Sequence, residues 1–176
     1  DVGAQVPHSA VRTYVMGERG VTHDEATADD IRAMCAIVGE GLKAGALGFS
    51  TSRTEAHRAI DGEPVPGTYA AEDELFALGR AMAAGGQAVF EVAPAGTAGE
   101  NLDGPMREMD WMIRLAAEID RPVSFAMVQT QSAPDLWRKQ LDAAGRAVDD
   151  GIRVHPQFAA RPFGMLFGFA GYHAFT

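Results

Sequence analysis

The sequence contains a single cysteine, Cys35, so no internal disulfide can form and a reducing compartment is expected. Its spacing to Ile31 and Val38 places it on the apolar face of a helix, where a thiol packs as a small hydrophobe. Lysine is scarce, with only Lys43 and Lys139. The bases total 15 against 24 acids, a formal net charge of −9. Nucleic acid and anionic membranes both require clustered Lys and Arg, and are therefore excluded as expected partners. No apolar run approaches the roughly 18–20 residues of a membrane-spanning helix. No secretory leader opens the chain, and a cytoplasmic location is expected. The sequence also lacks His-x-His, His-Glu-x-x-His and Cys-x-x-Cys, so spacing alone supplies no metal motif. Gly39-Glu40-Gly41-Leu42-Lys43-Ala44 has the letters of a dinucleotide-binding turn but sits inside a helical pattern rather than after a strand. Gly48-Phe49-Ser50-Thr51-Ser52 lacks the second glycine of a nucleophile elbow, which argues against a serine nucleophile. An initiator methionine is missing too: the chain opens Asp1-Val2-Gly3, and an inner part of a longer or processed protein is expected.

What is present is an alternation of two kinds of segment in 176 residues that are 47% hydrophobic, enough to bury a core. Ile31, Met34, Cys35, Val38 and Leu42 recur at helical spacing over 27–44. Thr27-Ala28-Asp29-Asp30 resembles a capping box at its start, and Gly45 ends it. The run 46–51 reads as a short buried strand, followed by a polar loop over 52–68 containing Pro64, Pro66 and Gly67. A second helix over 71–84 stops at Gly85-Gly86, and 88–92 is the next strand. After a Gly- and Ala-rich loop, a helix over 105–119 takes Pro105 at a first-turn position. The run 123–128 is a third apolar strand. Ser132-Ala133-Pro134-Asp135 opens a helix to Gly151, and 152–156 is a fourth strand. Val2 to Val6 supplies one more strand at the front.

Short apolar strands alternating with amphipathic helices predict a parallel sheet with crossover helices, an α/β fold. The strands are expected to be hydrophobic on both faces. An open doubly wound sheet and a (β/α)8 barrel both satisfy the pattern. In either, chemistry gathers just after the strands. The candidates on that basis are His8, Arg12, Ser50, Thr51, Ser52 and Arg53, then His57, Glu91, Gln129, Thr130, His155 and Arg161. His8 and His155 read equally well as hydrogen-bonded structural histidines. Glu91 interrupts an apolar strand, Ala88-Val89-Phe90-Glu91-Val92. Either it faces a site as a metal ligand or general base, or the strand ends at Phe90 and Glu91 is solvated.

Three segments, in order along the chain, carry a resemblance. Val6-Pro7-His8-Ser9-Ala10-Val11-Arg12 with Tyr14-Val15-Met16-Gly17 is one. Ala44-Gly45-Ala46-Leu47-Gly48-Phe49-Ser50-Thr51-Ser52 is the second. Pro66-Gly67-Thr68-Tyr69-Ala70 with Glu74-Leu75 is the third. Together they resemble the N-acyl-D-amino-acid deacylase (D-aminoacylase) branch of the amidohydrolase superfamily over about Val2 to Pro162. The resemblance implies that residues 1–176 form a single partial (β/α)8 TIM-barrel domain, about strands three to seven, without the N- and C-terminal parts of the barrel. It implies a hydrolase acting on amide bonds of small N-acyl amino acid-like substrates, with zinc or another divalent metal in the full-length parent and none in this chain alone.

The sequence departs from the family pattern at three places. Glu91 stands where a metal-binding histidine is usual, Ala93 where an arginine is usual, and Ala126-Met127 where Ser-His is usual. Glu91 is thus the metal ligand that this chain would offer. His8, Arg12, Ser50, Thr51, Arg53 and His155 would line the site. A non-catalytic homologue or a small-ligand-binding α/β protein without the metal is the alternative. The isolated chain is expected to be inactive, and its open sheet edges are expected to drive homo-oligomer formation. The Phe- and Gly-rich tail from Phe163 to Phe175 is a natural place for such contact.

Overall fold

A computed structural model describes residues 1–160 and Gly168; Arg161 and, Gly168 apart, the Phe163 to Phe175 tail lie outside these. The chain runs β1 (Val6–Pro7), α1 (His8–Met16), α2 (Glu18–Val21), α3 (Ala28–Lys43), β2 (Gly48–Ser52), α4 (Glu72–Ala84), β3 (Val89–Ala93), α5 (Gly104–Ile119), β4 (Val123–Ala126), α6 (Leu136–Asp149) and β5 (Val154–Gln157). All five strands are parallel and lie in the order β1-β2-β3-β4-β5.

That order separates the two architectures that the sequence left open. Each crossover advances by one strand in the same direction. Right-handed connections of that kind put successive helices on one face, whereas a doubly wound sheet reverses its strand order partway. The helices pack accordingly, α1 on α3, α3 on α4, α4 on α5 and α5 on α6. This is the winding of part of a barrel.

The one-sided cover corrects the expectation of strands apolar on both faces. Phe49, Phe90, Val92, Val123, Phe125 and Val154 point into the helices, and none is more than 1% exposed. Their neighbours Ser50, Ser52, Glu91, Ala93, Ser124, Ala126, His155 and Gln157 are half-buried or exposed on the other face. The sequences alternate with period two because one face is core and the other is not.

Local details follow from side-chain chemistry. Thr27 and Asp30 form the anticipated capping box, the Thr27 hydroxyl accepting from the Asp30 amide at 3.2 Å while Asp30 accepts from the Thr27 amide at 2.9 Å. The last helix starts later than Ser132. Residues 130–133 instead close a small turn, with Asp135 preceding the first helical residue. The third apolar run leaves the sheet at Ala126 rather than at Val128, and the first strand is only Val6–Pro7. Helix α1 follows that strand with no intervening loop. Gly48 is required by close approach: a Cβ there would lie 2.0 Å from the Val89 carbonyl oxygen. Cys35 is half-buried on α3, and burial pushes its thiol pKa up, consistent with a packing role.

Candidate active-site cleft

The uncovered face opens into a cleft of about 580 Å³ at the C-terminal ends of the strands. Its walls come from Gln5 and Ser9 near β1, Ser50 and Ser52 of β2, Glu91 of β3, and His57 of the loop after β2. Strand register aligns the residues of this face, of which Pro7, Ser50 and Glu91 line the cleft. Pro7 pairs with Ser50, Ser50 with Glu91, Glu91 with Ser124, and Ser124 with His155. These residues form one row on one face.

Glu91 faces the cleft, as one of the two readings of the sequence had it, and the strand does not end at Phe90. The strand continues through Ala93, so Glu91 lies within it, yet its side chain is exposed because that face is uncovered. One carboxylate oxygen, Oε2, accepts from Gln5 Nε2 at 2.5 Å. Gln5 was not anticipated; it is 86 residues away in sequence, and nothing local marks the pair. Ser52 Oγ lies 2.6 Å from His57 Nδ1 and fixes the imidazole at the rim.

His8 also reaches the cleft, but the protein spends both of its ring nitrogens. Nδ1 is 2.8 Å from Thr51 Oγ1 and Nε2 is 2.7 Å from Glu74 Oε1. Arg12 Nε approaches the same Glu74 oxygen at 3.5 Å, and an Arg12 Nη2 donates to the Asp24 carbonyl. His8, Glu74, Arg12 and Thr51 are at most 5% exposed. A buried carboxylate is tolerated when it is hydrogen-bonded and faces cationic partners. This cluster therefore clamps α1 and the start of α4 onto β2. Thr51 and Arg12 serve that clamp.

Arg53 turns toward the helices. Its Nε donates to both Glu108 oxygens at 3.2 and 3.0 Å, its Nη1 donates to the Ala70 carbonyl at 2.7 Å, and its guanidinium lies 5.9 Å from the Trp111 ring centre. His155 is exposed on the cleft face but beyond the lining residues. Gln129 and Thr130 lie after β4, outside that lining. The rim loops are tied through Glu100, which accepts from Thr54 Oγ1 at 2.6 Å and from the amides of Gly96 and Ala98 at 3.0 and 2.9 Å. Burial works against its charge, but these donors outweigh burial and hold its pKa below the usual carboxylate range.

Among proteins of known sequence and structure, residues 1–172 match the model of the amidohydrolase family. This chain belongs to the amidohydrolase family. A D-aminoacylase, whose crystal structure is described as defining a novel subset of amidohydrolases, has a similar fold: TM-score 0.67 at 23% identity, covering 86% of this chain and 28% of that protein. The amidohydrolase chain described here thus spans just over a quarter of the length of the structure it matches. No curated protein matches it.

Amidohydrolases generally use divalent metals. The described residues do not fit one: no three His, Cys, Asp or Glu side chains among them gather into a group that could hold an ion. Both ring nitrogens of His8 are engaged, by Thr51 and Glu74. Met127 is buried on the side away from the cleft.

Proposed function

We propose that this amidohydrolase chain is a partial barrel domain forming one wall of the active-site cleft of a hydrolase that cleaves amide bonds in small N-acyl amino acid-like substrates. The observation that carries the proposal is the row of polar side chains at the C-terminal ends of barrel-wound strands. Glu91, Ser50, Ser52 and His57 lie together there on an uncovered face. In barrels of this winding, strand C-termini are where reacting groups are held.

The roles available to these residues are binding and orientation. Ser50 and Ser52 present hydroxyls that donate to or accept from a substrate. Glu91, steadied by Gln5, offers an acceptor within the wall, and His57 is held at the rim by Ser52. The His8–Glu74–Arg12 clamp keeps β1 and β2 in register beneath them. Any metal ligands and the general base belong to barrel strands outside this chain, so residues 1–176 alone are inactive. The uncovered face also favours homo-oligomers, two partial barrels covering one another, in a reducing, cytoplasmic setting.

The test is hydrolysis of an N-acetyl-D-amino acid series by this chain alone and by a longer protein that completes the barrel around it. Turnover by the completed barrel, with loss in an S52A or E91Q variant, supports the proposal. Turnover by this chain alone would overturn it, as would a folded, completed barrel that hydrolyses none of the series. In the latter case a ligand-binding homologue remains, a reading favoured by the full engagement of His8 in the clamp. Light scattering tests the oligomer: a monodisperse monomer contradicts it.

A further inference from the structure

Cleavage of an amide leaves a nitrogen that departs poorly as an anion, so a cleft that hydrolyses amides must supply a proton to it. Among the described residues lining this cleft, the titratable side chains are His8 at the start of α1, His57 in the loop after β2 and Glu91 in β3. Carboxylic acids ordinarily lose their proton well below neutral pH, and imidazolium groups near it. His8 is 1% exposed, with Nδ1 beside Thr51 and Nε2 beside Glu74. His57 is exposed, and its Nδ1 lies 2.6 Å from Ser52 Oγ. Its other nitrogen, Nε2, has no hydrogen-bond partner among the described residues.

The loop holds His57 by its backbone as well. The His57 amide donates to the Thr54 carbonyl at 3.4 Å, and the His57 carbonyl accepts from the Val65 amide at 3.1 Å. Thr54 is itself buried and donates to Glu100 at 2.6 Å. The charged neighbours on this loop have other partners. Glu55 sits beside the Tyr69 hydroxyl, and Arg58 Nη1 donates to the Gly62 carbonyl at 2.9 Å. In a protonated imidazole both ring nitrogens donate. Nδ1–H then bonds to the Ser52 oxygen, and Nε2–H is the proton left for a ligand. One side chain thus orients the ring while its far nitrogen stays available, which is the logic of an acid–base pair.

We propose that His57, oriented by Ser52, is the proton donor to the leaving nitrogen of the scissile amide. Water adds to the acyl carbon, and its proton passes to the general base outside this chain. The C–N bond then breaks, its electron pair goes to nitrogen, and that nitrogen takes the proton from His57 Nε2. The products are a carboxylic acid and an amine. Neutral His57 keeps its Nδ1–H on Ser52 until solvent reprotonates Nε2. His57 is on this account a catalytic residue and Ser52 a positioning residue. The inference rests on the hydrolase reading of the cleft and adds proton transfer to the binding roles of its wall.

The arrangement is tested in this chain by following the 15N shifts of the imidazole nitrogens by NMR across the neutral pH range. On the alkaline side Nδ1 of His57 should keep its proton and Nε2 should lose it. Ser52→Ala should move the ring toward the Nε2–H form that a free imidazole side chain favours, and Ser52→Thr, which keeps the hydroxyl, should hold the parent's form. Proton donation is tested in the completed barrel with an N-acetyl-D-amino acid and with p-nitrophenyl acetate, whose phenolate leaves without a proton. His57→Gln should slow the amide about a hundredfold or more, remove the alkaline fall of its kcat/KM, and slow the ester far less. Ser52→Thr should recover the amide rate that Ser52→Ala loses. The proposal is overturned by a His57 ring that keeps its proton on Nε2 on the alkaline side, by an unchanged amide rate in His57→Gln, or by equal losses on amide and ester. Each of those outcomes leaves the hydrolase reading standing, whereas a folded, completed barrel that cleaves no amide removes both.

Discussion

Phe90 and Glu91 are adjacent in sequence and live in different environments. Phe90 is fully buried, with its ring 5.1 Å from that of Phe49 and 6.3 Å from that of Trp111. Glu91 points the other way, into the cleft, held by one hydrogen bond. The same contrast runs across the sheet: an aromatic and aliphatic face under the helices, and a polar face over open space. Folding free energy is concentrated on the first face, and the proposed recognition on the second. A residue's contribution is set by the side of the sheet it occupies rather than by the strand it belongs to.

Mutations test how sharp that division is. The largest effect is expected from Phe90→Ala, which empties the centre of the covered face and should cost about 3–5 kcal/mol in denaturant unfolding. A loss under about 1 kcal/mol would mean that the helical layer repacks freely and the comparison fails. Next is Glu74→Ala, which leaves Arg12 and His8 buried beside an empty site. About 3 kcal/mol is expected, and the cleft row should be disturbed with it because α1 is no longer tied to α4.

Smaller effects lie at the margins of the covered layer. Thr27→Ala removes one half of the capping box of α3 and should cost about 1 kcal/mol. The other half is sensitive to acid. The Arg19 side chain, which donates to both Asp30 oxygens at 2.8 Å, and the Thr27 bonds hold the Asp30 pKa down to about 2 from 3.8. A carboxylate with a depressed folded pKa stabilises fully above its unfolded value, and that stability drains away as pH falls from about 4 through about 2. Thermal melts across that window should show a steeper loss for the parent than for Asp30→Asn. Equal slopes would remove Asp30 as the source. The smallest effect belongs to the open face: Glu91→Gln should change stability by less than about 0.5 kcal/mol. A large loss there would show that the cleft face also holds the fold together.

Much of the covered layer was legible in the sequence. Periodicity located α3, α4 and α5 to within a residue or two. Thr27 and Asp30 announced their cap, and Gly45 and Gly85 their stops, because these signals act over three or four residues of backbone. The helix after β1 was not legible, since His8 to Met16 places Arg12 and His8 among its buried residues and so has little apolar periodicity. Its burial depends on Glu74, 66 residues further along. The strands were read as apolar on both sides because Val89, Ala93 and Ala126 blur the alternation. Arg53 and Glu91 illustrate the same difficulty. Both follow or interrupt an apolar strand, yet Arg53 is drawn back to Glu108 and Trp111 while Glu91 stays in the cleft.

The sequence by itself determined the α/β class, the alternation of strand and helix from α3 onward, the boundaries of α3, α4 and α5 and the family resemblance, all of which are written in local pattern or in motif. Tertiary structure alone decided the direction of winding, the bare face and the grouping of Gln5, Ser50 and Glu91 around one cleft. Those depend on which strand lies beside which and in what register, and strand pairing in a parallel sheet joins residues tens of positions apart through contacts that no local spacing encodes.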